Sequence, residues 1–512
     1  MNGLFARKPI SECEADVRER GGLKRTLNRW HLTALGVGAT IGAGIFATTG
    51  TAIVGDAVRP GAGPAIVLSF VLTAVACGFA ALCYAEFAAM VPIAGSAYTY
   101  AYASLGEFVA WIIGWDLIVE YAVGNIGVAI GWSGHFRELM EMLGVHIPPW
   151  LSTDYRSAHA AADAVAAGAV DPLNQFLATA WNAAPQVAGI PVIFNLPAFA
   201  AVFLVTIVLV IGVRESANSN NLMVMLKVGL ILFFIAVGLF LLRTENWNNP
   251  ATGGFMPNGW AGVSAGAAII FFSYIGFDAV STAAEEAENP AKDMPFGIIM
   301  SLAVTTVLYI ALAAVMTGIA PWQSLGTAEP MLTALEHANG PAWLLSASRF
   351  LIAIGAVVAM FSVLLVFQLG QPRIFMSMSR DGLLPPFLSR LHPRFKTPYV
   401  ATIITGLFVG TFAATANIAE VVDLTNIGTL FAFVLVSIGV IVLRYKDPDR
   451  PRPFRVPWVP VTPLISVVAC LYLMLQLPGI TWKRFGIWLA VGIVLYFLYG
   501  VRHSRLRKRA AA

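Results

Sequence analysis

The sequence predicts an all-α integral membrane protein, and three observations support this fold class. Of the 512 residues, 58% are hydrophobic and only 12% are charged, against about 25% charged residues in a typical soluble protein. Apolar runs of about 20 residues, the length that crosses a bilayer as a helix, recur along the chain. Glycine and proline are also frequent, as in membrane helices. This composition excludes a soluble enzyme, a nucleic-acid-binding protein and a disordered scaffold.

Twelve apolar runs predict twelve transmembrane helices. Their centres lie near residues 43, 76, 120, 204, 231, 272, 308, 356, 407, 434, 468 and 492. An even number of spans puts both termini on one side of the membrane. Seven Lys and Arg residues precede the first run, and most of the others lie in segments on the same side. The positive-inside rule therefore predicts two cytoplasmic termini in a bacterial inner membrane.

Two polar segments complete this topology. Residues 1–30 contain no apolar stretch before a small-residue cleavage site, so no signal peptide is predicted. Residues 135–194 separate spans three and four on the extracytoplasmic side. We predict one or two short amphipathic helices there, and a tolerated insertion is favoured over a functional lid.

The first span contains the glycine-rich segment LGVGATIGAGIF, residues 35–46. A continuous helix would lose about 1 kcal/mol at each glycine. We therefore predict a break near Gly42 to Gly44, where freed amide groups and the helix dipole attract a carboxylate. Close packing of small residues against a neighbouring helix is the alternative. A dinucleotide-binding loop is excluded because no βαβ pattern surrounds the glycines.

The sixth span offers a counterpart in IFFSYIGFD, residues 270–278. Its glycine and aspartate predict a second interruption, whose carbonyl oxygens would hold an ammonium group. Spans one and six occupy equivalent places if spans one to five and six to ten are two halves. Since each half has an odd number of spans, the second half must be inverted.

Ionisable residues within apolar spans are costly and are therefore candidates for function. Lys227 lies about six residues into span five, and its amine either faces the protein interior or extends towards water. Asp116 and Glu120 share one face of span three. Glu120 is the better candidate for lining a pocket, whereas Asp116 is interpreted as a packing partner. Glu86 is predicted to tie helices together.

Six segments in order closely resemble the amino acid–polyamine–organocation (APC) transporter superfamily, in particular bacterial relatives of the cationic amino acid transporters. They are LGVGATIGAGIF, CYAEFAAMVPIAGSAYTYAYASLGE, SYIGFDAVSTAAEEAENPAKDMPFGI, IFMSMSRDGLLP, DLTNIGTLFAFVLVSIGVIVLR and RPFRVPWVPVTP. The resemblance implies a LeuT-type fold, a 5+5 inverted repeat followed by two further helices. The expected division is a cytoplasmic segment 1–30, repeats 31–243 and 261–444, helices within 460–502 and a cytoplasmic tail 503–512. The expected partners are an L-amino acid, a proton and the lipid bilayer, with no nucleic acid. We also expect a monomer without a cofactor, and the four cysteines have no metal-type spacing that would predict a metal site.

The resemblance also implies roles for individual residues. The substrate carboxylate would bind the amides of Gly42, Ala43 and Gly44, and the preceding Ile41 would also belong to the substrate-binding site. The ammonium group would bind the carbonyls of Thr40, Phe272, Ser273 and Ile275. Lys227 and Asp278 match residues of proton coupling, and Glu120 matches the family's span-three acid.

Two departures from the family bear on substrate choice. Thr40 and Ala43 stand where bacterial relatives can carry Ile and Thr, which redistributes the polarity of the pocket. Phe367 stands where members selective for cationic substrates have a small residue, so the pocket should be shorter and should favour alanine-sized neutral substrates.

The predicted function is the import of small L-amino acids with protons by alternating access. A cationic amino acid transporter and a proton-independent exchanger are the nearest alternatives, and a membrane sensor is a third. A membrane enzyme is disfavoured because the spans contain no HExxH, GxSxG or histidine cluster.

Overall fold

The computed structural model describes residues 4–8, 25–91, 96–168, 172–212 and 217–511. Within these ranges, nine helical stretches are long and apolar enough to cross a membrane: Arg29–Val54, Gly63–Met90, Glu107–Met142, Asn221–Leu241, Gly259–Glu286, Pro290–Ile319, Ala342–Arg380, Ile418–Lys446 and Gly479–Lys508. Three shorter apolar helices are Leu196–Ile211, Tyr399–Thr415 and Val461–Leu475. Each predicted span centre falls in one of these twelve segments. The protein is therefore a multi-pass membrane protein, and crossing by the three shorter helices stays a prediction.

The α-helices are numbered in chain order. They are α1 (Arg29–Thr40), α2 (Thr49–Val54), α3 (Ile66–Met90), α4 (Ser96–Ser104), α5 (Glu107–Ile118), α6 (Gly124–Met142), α7 (Tyr155–Ala166), α8 (Pro172–Ala183), α9 (Leu196–Ile211), α10 (Ala217–Leu241), α11 (Gly259–Ile270), α12 (Pro290–Ile319), α13 (Pro330–Glu336), α14 (Ala342–Arg380), α15 (Tyr399–Thr415), α16 (Ile418–Lys446), α17 (Val461–Leu475), α18 (Gly479–Leu495), α19 (Val501–His503) and α20 (Arg505–Ala511). Two short strands, β1 (Gln186–Val187) and β2 (Ile190–Pro191), form an antiparallel hairpin. The predicted N-terminal segment is described only in part, because its residues 1–3 and 9–24, including Cys13, lie outside the described residues.

The outer surface of the bundle is apolar. Large hydrophobic side chains on the membrane helices point outwards, such as Phe240 (75% exposed), Val307 (68%) and Leu407 (57%). In lipid this arrangement is stable, because each helix satisfies its own backbone hydrogen bonds and its side chains contact acyl chains.

Small residues bring the helices close together in the interior. An added Cβ at Gly355 in α14 would lie 2.8 Å from Leu230 Cδ2 in α10, and one at Gly370 would lie 2.6 Å from Tyr121 Cε1. Without a hydrophobic driving force between helices in lipid, such close van der Waals packing holds the bundle together.

An ion pair on the buried Glu86 joins segments that are distant in sequence. Glu86 accepts two hydrogen bonds from Arg444, from Nε at 2.9 Å and from Nη2 at 2.7 Å. Its carboxylate also accepts the backbone N–H of Val456 at 2.7 Å. The tying role predicted for Glu86 is confirmed, because the carboxylate joins α3 to α16 and to the segment that follows it.

The segment predicted at 135–194 begins later than expected, since α6 continues to Met142. Helices α7 and α8 confirm the predicted short helices. The hairpin that follows was not predicted, because its turn is formed by Ala188 and Gly189, with φ of 52° and 79°, rather than by the usual Asn-Gly.

This segment is attached to the membrane helices at three points. Arg156 in α7 pairs with Glu420 at 2.8 Å, and the neighbouring Ser157 hydroxyl accepts a hydrogen bond from the Asn417 amide at 2.7 Å. In α8, the ring of Phe176 lies 4.3 Å from the guanidinium of Arg137 at the end of α6.

Candidate functional site

The first membrane stretch is interrupted in its middle. Helix α1 ends at Thr40, and Ile41 is extended (φ −74°, ψ 97°). Helical structure resumes with a π-helical turn, Gly44–Thr48, that continues into α2. The break thus begins one residue before the predicted position. No side chain caps the restarting helix at Ala43, and the amides of a first helical turn have no intrahelical partner.

The stretch that contains α11 is interrupted in the same way. A 3₁₀ turn, Phe271–Tyr274, is followed by Ile275 in an extended conformation (φ −62°, ψ 133°). Gly276 has φ of 118°, a conformation that favours glycine. A second 3₁₀ segment, Asp278–Glu286, then completes the stretch. The carbonyls at the end of the first half have no intrahelical partner.

The two interruptions cross at glycines. A Cβ added to Gly44 would overlap the Ser273 backbone, with Ser273 N only 2.6 Å away. A Cβ added to Gly276 would lie 2.8 Å from the carbonyl carbon of Ala39. The free amides of one helix and the free carbonyls of the other therefore meet in one region, an arrangement suited to a zwitterion.

Helices α6 and α14 surround this crossing. Added Cβ atoms on α6 would lie 3.2 Å from Ala43 Cβ at Gly131 and 3.2 Å from the Phe272 ring at Gly127. A Cβ at Gly42 would lie 3.0 Å from Val363 in α14. The small residues of α6 thus allow both interrupted stretches to approach it.

Two polar contacts at the interruptions were not predicted. The hydroxyl of Tyr309 donates to the Thr40 carbonyl at 3.0 Å, and the amide of Asn426 donates to the Ala268 carbonyl at 2.8 Å. Among the described residues, the buried Ser273 hydroxyl has no hydrogen-bond partner. A polar side chain within an apolar span was a signal that could have identified both Tyr309 and Asn426.

Lys227 faces the protein interior, with 3% of its surface exposed. Its Nζ donates to the Gly38 carbonyl at 2.6 Å. Because Gly38 lies in the last turn of α1, the lysine joins α10 to the helix end that leads into the first interruption. Extension of the amine towards water, the alternative reading, is wrong for this structure.

Glu120 and Asp278 are two buried acidic residues of the site. Glu120 lies in a π-helical turn, Val119–Val123, between α5 and α6, and π turns are frequent at functional sites. Among the described residues, neither carboxyl oxygen of Glu120 has a hydrogen-bond partner. Asp278 accepts the Gly276 N–H at 3.2 Å, so it contacts the second interruption directly.

Phe367 in α14 packs beside this turn. Its ring lies edge-to-face with that of Tyr121, with the ring centroids 5.6 Å apart, and only 4% of its surface is exposed. The next residue, Gln368, accepts a hydrogen bond from Asn125 at 2.7 Å. Phe367 is therefore held in place by its neighbours.

Charged contacts link segments that lie outside the two interruptions. Arg59, between α2 and α3, pairs with Asp423 at 2.7 Å and with Asp56 at 2.6 Å. Burial lowers the pKa of Arg59, but the two carboxylates outweigh burial, so its pKa lies above the ordinary value. Glu329, just before α13, lies 3.7 Å from Arg137. Burial raises the pKa of Glu329, although Arg137 opposes this shift.

A multi-pass helical bundle with two interrupted helices crossing at its centre defines a membrane transporter rather than an enzyme. The chain belongs to the amino acid permease family, which matches residues 27–498. It is 45% identical to a branched-chain amino acid permease and 43% identical to a methylthioribose transporter, both of Bacillus subtilis. These alignments cover 99% of this chain and 99% and 100% of the relatives. A vacuolar cationic amino acid transporter of Arabidopsis thaliana is 35% identical over 88% of this chain and 68% of its own length.

Proposed function

We propose that this permease imports small neutral L-amino acids together with a proton by alternating access. The observation that carries the proposal is the crossing of the two interrupted helices at Gly44 and Ser273. A zwitterion presents one negative and one positive group, and the crossing offers a helix N-terminus and a helix C-terminus within one region.

The proposed architecture is the LeuT-type fold with twelve spans. Residues 31–243 and 261–444 would be the two inverted repeats, and residues 460–502 would carry the two further helices. The paired interruptions support this division, because they occur in the first helix of each proposed repeat. Both termini would be cytoplasmic, with segments 1–30 and 503–512 on the inner side of a bacterial inner membrane.

The substrate carboxylate would bind the amides of Gly42, Ala43 and Gly44 beyond the extended Ile41. The ammonium group would bind carbonyls from the two helix ends. Those are the carbonyls of Thr40, Phe272, Ser273 and Ile275. The Thr40 carbonyl already accepts the Tyr309 hydroxyl, but a carbonyl oxygen has a second lone pair.

The substrate side chain would face Phe272 and Phe367. Two aromatic rings favour an apolar side chain over a charged one, and their bulk favours a short one. The name of the branched-chain amino acid permease supports a neutral substrate, and that relative extends the range to be tested from alanine to leucine.

Lys227 would couple the proton to the substrate. Its Nζ hydrogen bond to Gly38 requires a donor, which both the ammonium and the neutral amine provide, but only the ammonium adds a full charge to the end of α1. Protonation of Lys227 would thus change the electrostatic interaction between its amine in α10 and the end of α1. The two buried acids, Glu120 and Asp278, would take part in the same coupling. Asp278 would act on the second interruption, because it accepts the Gly276 N–H there.

Alternating access needs a contact that closes and reopens. The bridge from Arg59 to Asp423 joins the segment after α2 to α16, so its rupture would loosen the attachment of that segment to α16. We assign it the role of an extracytoplasmic closure.

Uptake by proteoliposomes tests the proposed function. We expect radiolabelled alanine to accumulate under an inward proton gradient, and a protonophore to reduce uptake by about fivefold or more, the scale of a typical coupling free energy. Leucine, arginine, lysine and methylthioribose complete the panel. Arginine or lysine uptake exceeding alanine uptake would contradict the neutral substrate and favour the cationic alternative. Accumulation unchanged by the protonophore would favour an exchanger.

The Phe367→Ser variant tests the size of the pocket. Removing the ring should open space beside Tyr121, so we expect arginine or leucine uptake to rise by roughly tenfold relative to alanine, the selectivity that a few methylene groups provide. Phe361→Ser is the matched control, because Phe361 lies on the same helix as Phe367 but packs near Trp132 of α6, so this variant should leave the ratio unchanged. An equal change in both variants would show that lost packing, rather than pocket size, sets the preference.

A further inference from the structure

A groove runs between α9 and α15 on the surface of the bundle. It encloses about 330 Å³, and nothing in the proposed transport cycle uses it. Its walls are almost entirely apolar and include Phe199, Phe203, Ile207 and Val210 from α9 with Leu407 and Gly410 from α15.

Glycines and outward-facing side chains shape the groove. Gly406 and Gly410 of α15 face Thr206 and Phe199 of α9, and an added Cβ would lie 2.6 Å from Thr206 Cγ2 or 3.3 Å from Phe199 Cδ2, so the glycines let the two helices approach closely along the floor of the groove. Ile207 is 45% exposed and Leu407 is 57% exposed. The mouth of the groove therefore opens towards the acyl chains of the bilayer, and a flexible hydrocarbon chain matches its walls.

One end of the groove is joined to a basic loop. The hydroxyl of Thr397 donates to the carbonyl of Val210, a groove residue, at 2.8 Å. The preceding residues include Arg390, Arg394 and Lys396, all exposed. Among the described residues, none of these three side chains forms an ion pair with an acidic side chain. Three basic side chains without an acidic partner among the described residues thus lie in the loop at the end of an apolar groove, and the guanidinium of one of them, Arg394, lies 5.6 Å from the centroid of the Phe395 ring.

Hydrogen bonds within the basic loop hold its backbone in place. The His392 ring nitrogen accepts the backbone N–H groups of Arg394 and Phe395, each at 3.2 Å. Phe387 (42% exposed), Leu391 (43%) and Phe395 (37%) alternate with the basic residues. Apolar and basic side chains in alternation are typical of a segment at the boundary between acyl chains and headgroups.

We propose that the groove and the loop together bind one anionic phospholipid. One acyl chain would lie between α9 and α15, and the phosphate would meet Arg390, Arg394 and Lys396 at the Val210 end. The charge of the loop selects an anionic headgroup over a zwitterionic one, because three basic side chains near a membrane surface each favour an anionic lipid. The apolar groove selects a lipid over a soluble phosphate compound, which has no hydrocarbon to bury.

Native mass spectrometry of the detergent-purified full chain tests this site. The probes are palmitoyl-oleoyl phosphatidylglycerol (POPG) and the corresponding phosphatidylcholine, each titrated separately. We expect one POPG molecule to be retained at a concentration at least about tenfold lower than phosphatidylcholine, since each basic group contributes to anionic lipid binding. Equal retention of the two lipids would overturn the proposal.

Two sets of variants separate the headgroup contact from the groove. Replacing Arg390, Arg394 and Lys396 with Gln should abolish the preference for POPG, whereas replacing the exposed Arg502, Arg505 and Lys508 with Gln should not. Leu407→Trp should fill the groove and weaken POPG binding by roughly tenfold, while Leu471→Trp, on the exposed face of α17, should not.

The same measurements distinguish other occupants of the groove. If Leu407→Trp left POPG binding unchanged, the lipid would be held by surface charge alone and the proposal would fail. If wild type appeared as a dimer that Leu407→Trp dissociated, the groove would be an interface between two copies of the chain, and the lipid site would again be wrong. Thermal unfolding in detergent should match wild type for every variant used.

Discussion

Lys227→Met is expected to abolish the proton dependence of uptake. The amine is buried, and its hydrogen bond to Gly38 joins α10 to the end of α1, so its charge acts directly on the first interruption. Methionine fills a similar volume but carries no proton. We expect accumulation under an inward proton gradient to fall by roughly 5- to 150-fold, the usual range of a coupling free energy, and the pH profile of uptake to become flat.

Leu226→Met is the matched control for this variant. Leu226 is the preceding residue and is 53% exposed on the lipid-facing side of α10, so the substitution introduces the same side chain without touching α1. Substrate binding should be measured in both variants, because a purely structural role of Lys227 would reduce binding and stability together. If Lys227→Met kept the full dependence on an imposed pH gradient, the coupling role would be wrong.

Gly44→Ala is expected to have the second large effect. The added Cβ would overlap the Ser273 backbone, and a backbone cannot move aside as a flexible side chain can. Overpacking of this kind costs about 1–3 kcal/mol. Since the strain falls on the proposed substrate contacts, we expect uptake and substrate binding to decrease by about tenfold or more.

Gly78→Ala provides the comparison, because an added Cβ at Gly78 in α3 would meet no other heavy atom within 4 Å. This variant should transport normally. Gly276→Ala should resemble Gly44→Ala, since it strains the other interruption at φ of 118°. Uptake by Gly44→Ala at the wild-type level would show that the crossing is not where the substrate binds.

Local features of the sequence predicted the interruptions and the buried lysine. Four glycines within nine residues of span one disfavour a continuous helix whatever surrounds them. A lone lysine in an apolar span is also visible without any knowledge of its partners. These signals located the helix ends and Lys227, but the first break begins at Ile41, one residue before the predicted Gly42.

Contacts between distant segments could not be predicted in the same way. Tyr309 bonds to Thr40 across 269 residues, and Arg59 pairs with Asp423 across 364. The sequence contains each of these side chains but not the packing of α12 against α1 or of the post-α2 segment against α16 that brings them together. The groove between α9 and α15 could not be predicted either, because its shape depends on which faces of the two helices meet.

The attachment of α7 and α8 affects how movement within the bilayer reaches the surrounding solution. Arg156 and Ser157 hold α7 to the start of α16, and Phe176 holds α8 to the end of α6. Since α7 and α8 also pack against each other, with the ring centroids of Tyr155 and Trp181 5.1 Å apart, a tilt of α16 relative to α6 would pull on both attachments of this segment. A change in the angle between α6 and α16 would thus be transmitted to the segment that contains α7 and α8, although the residues of this segment give no sign of such a role.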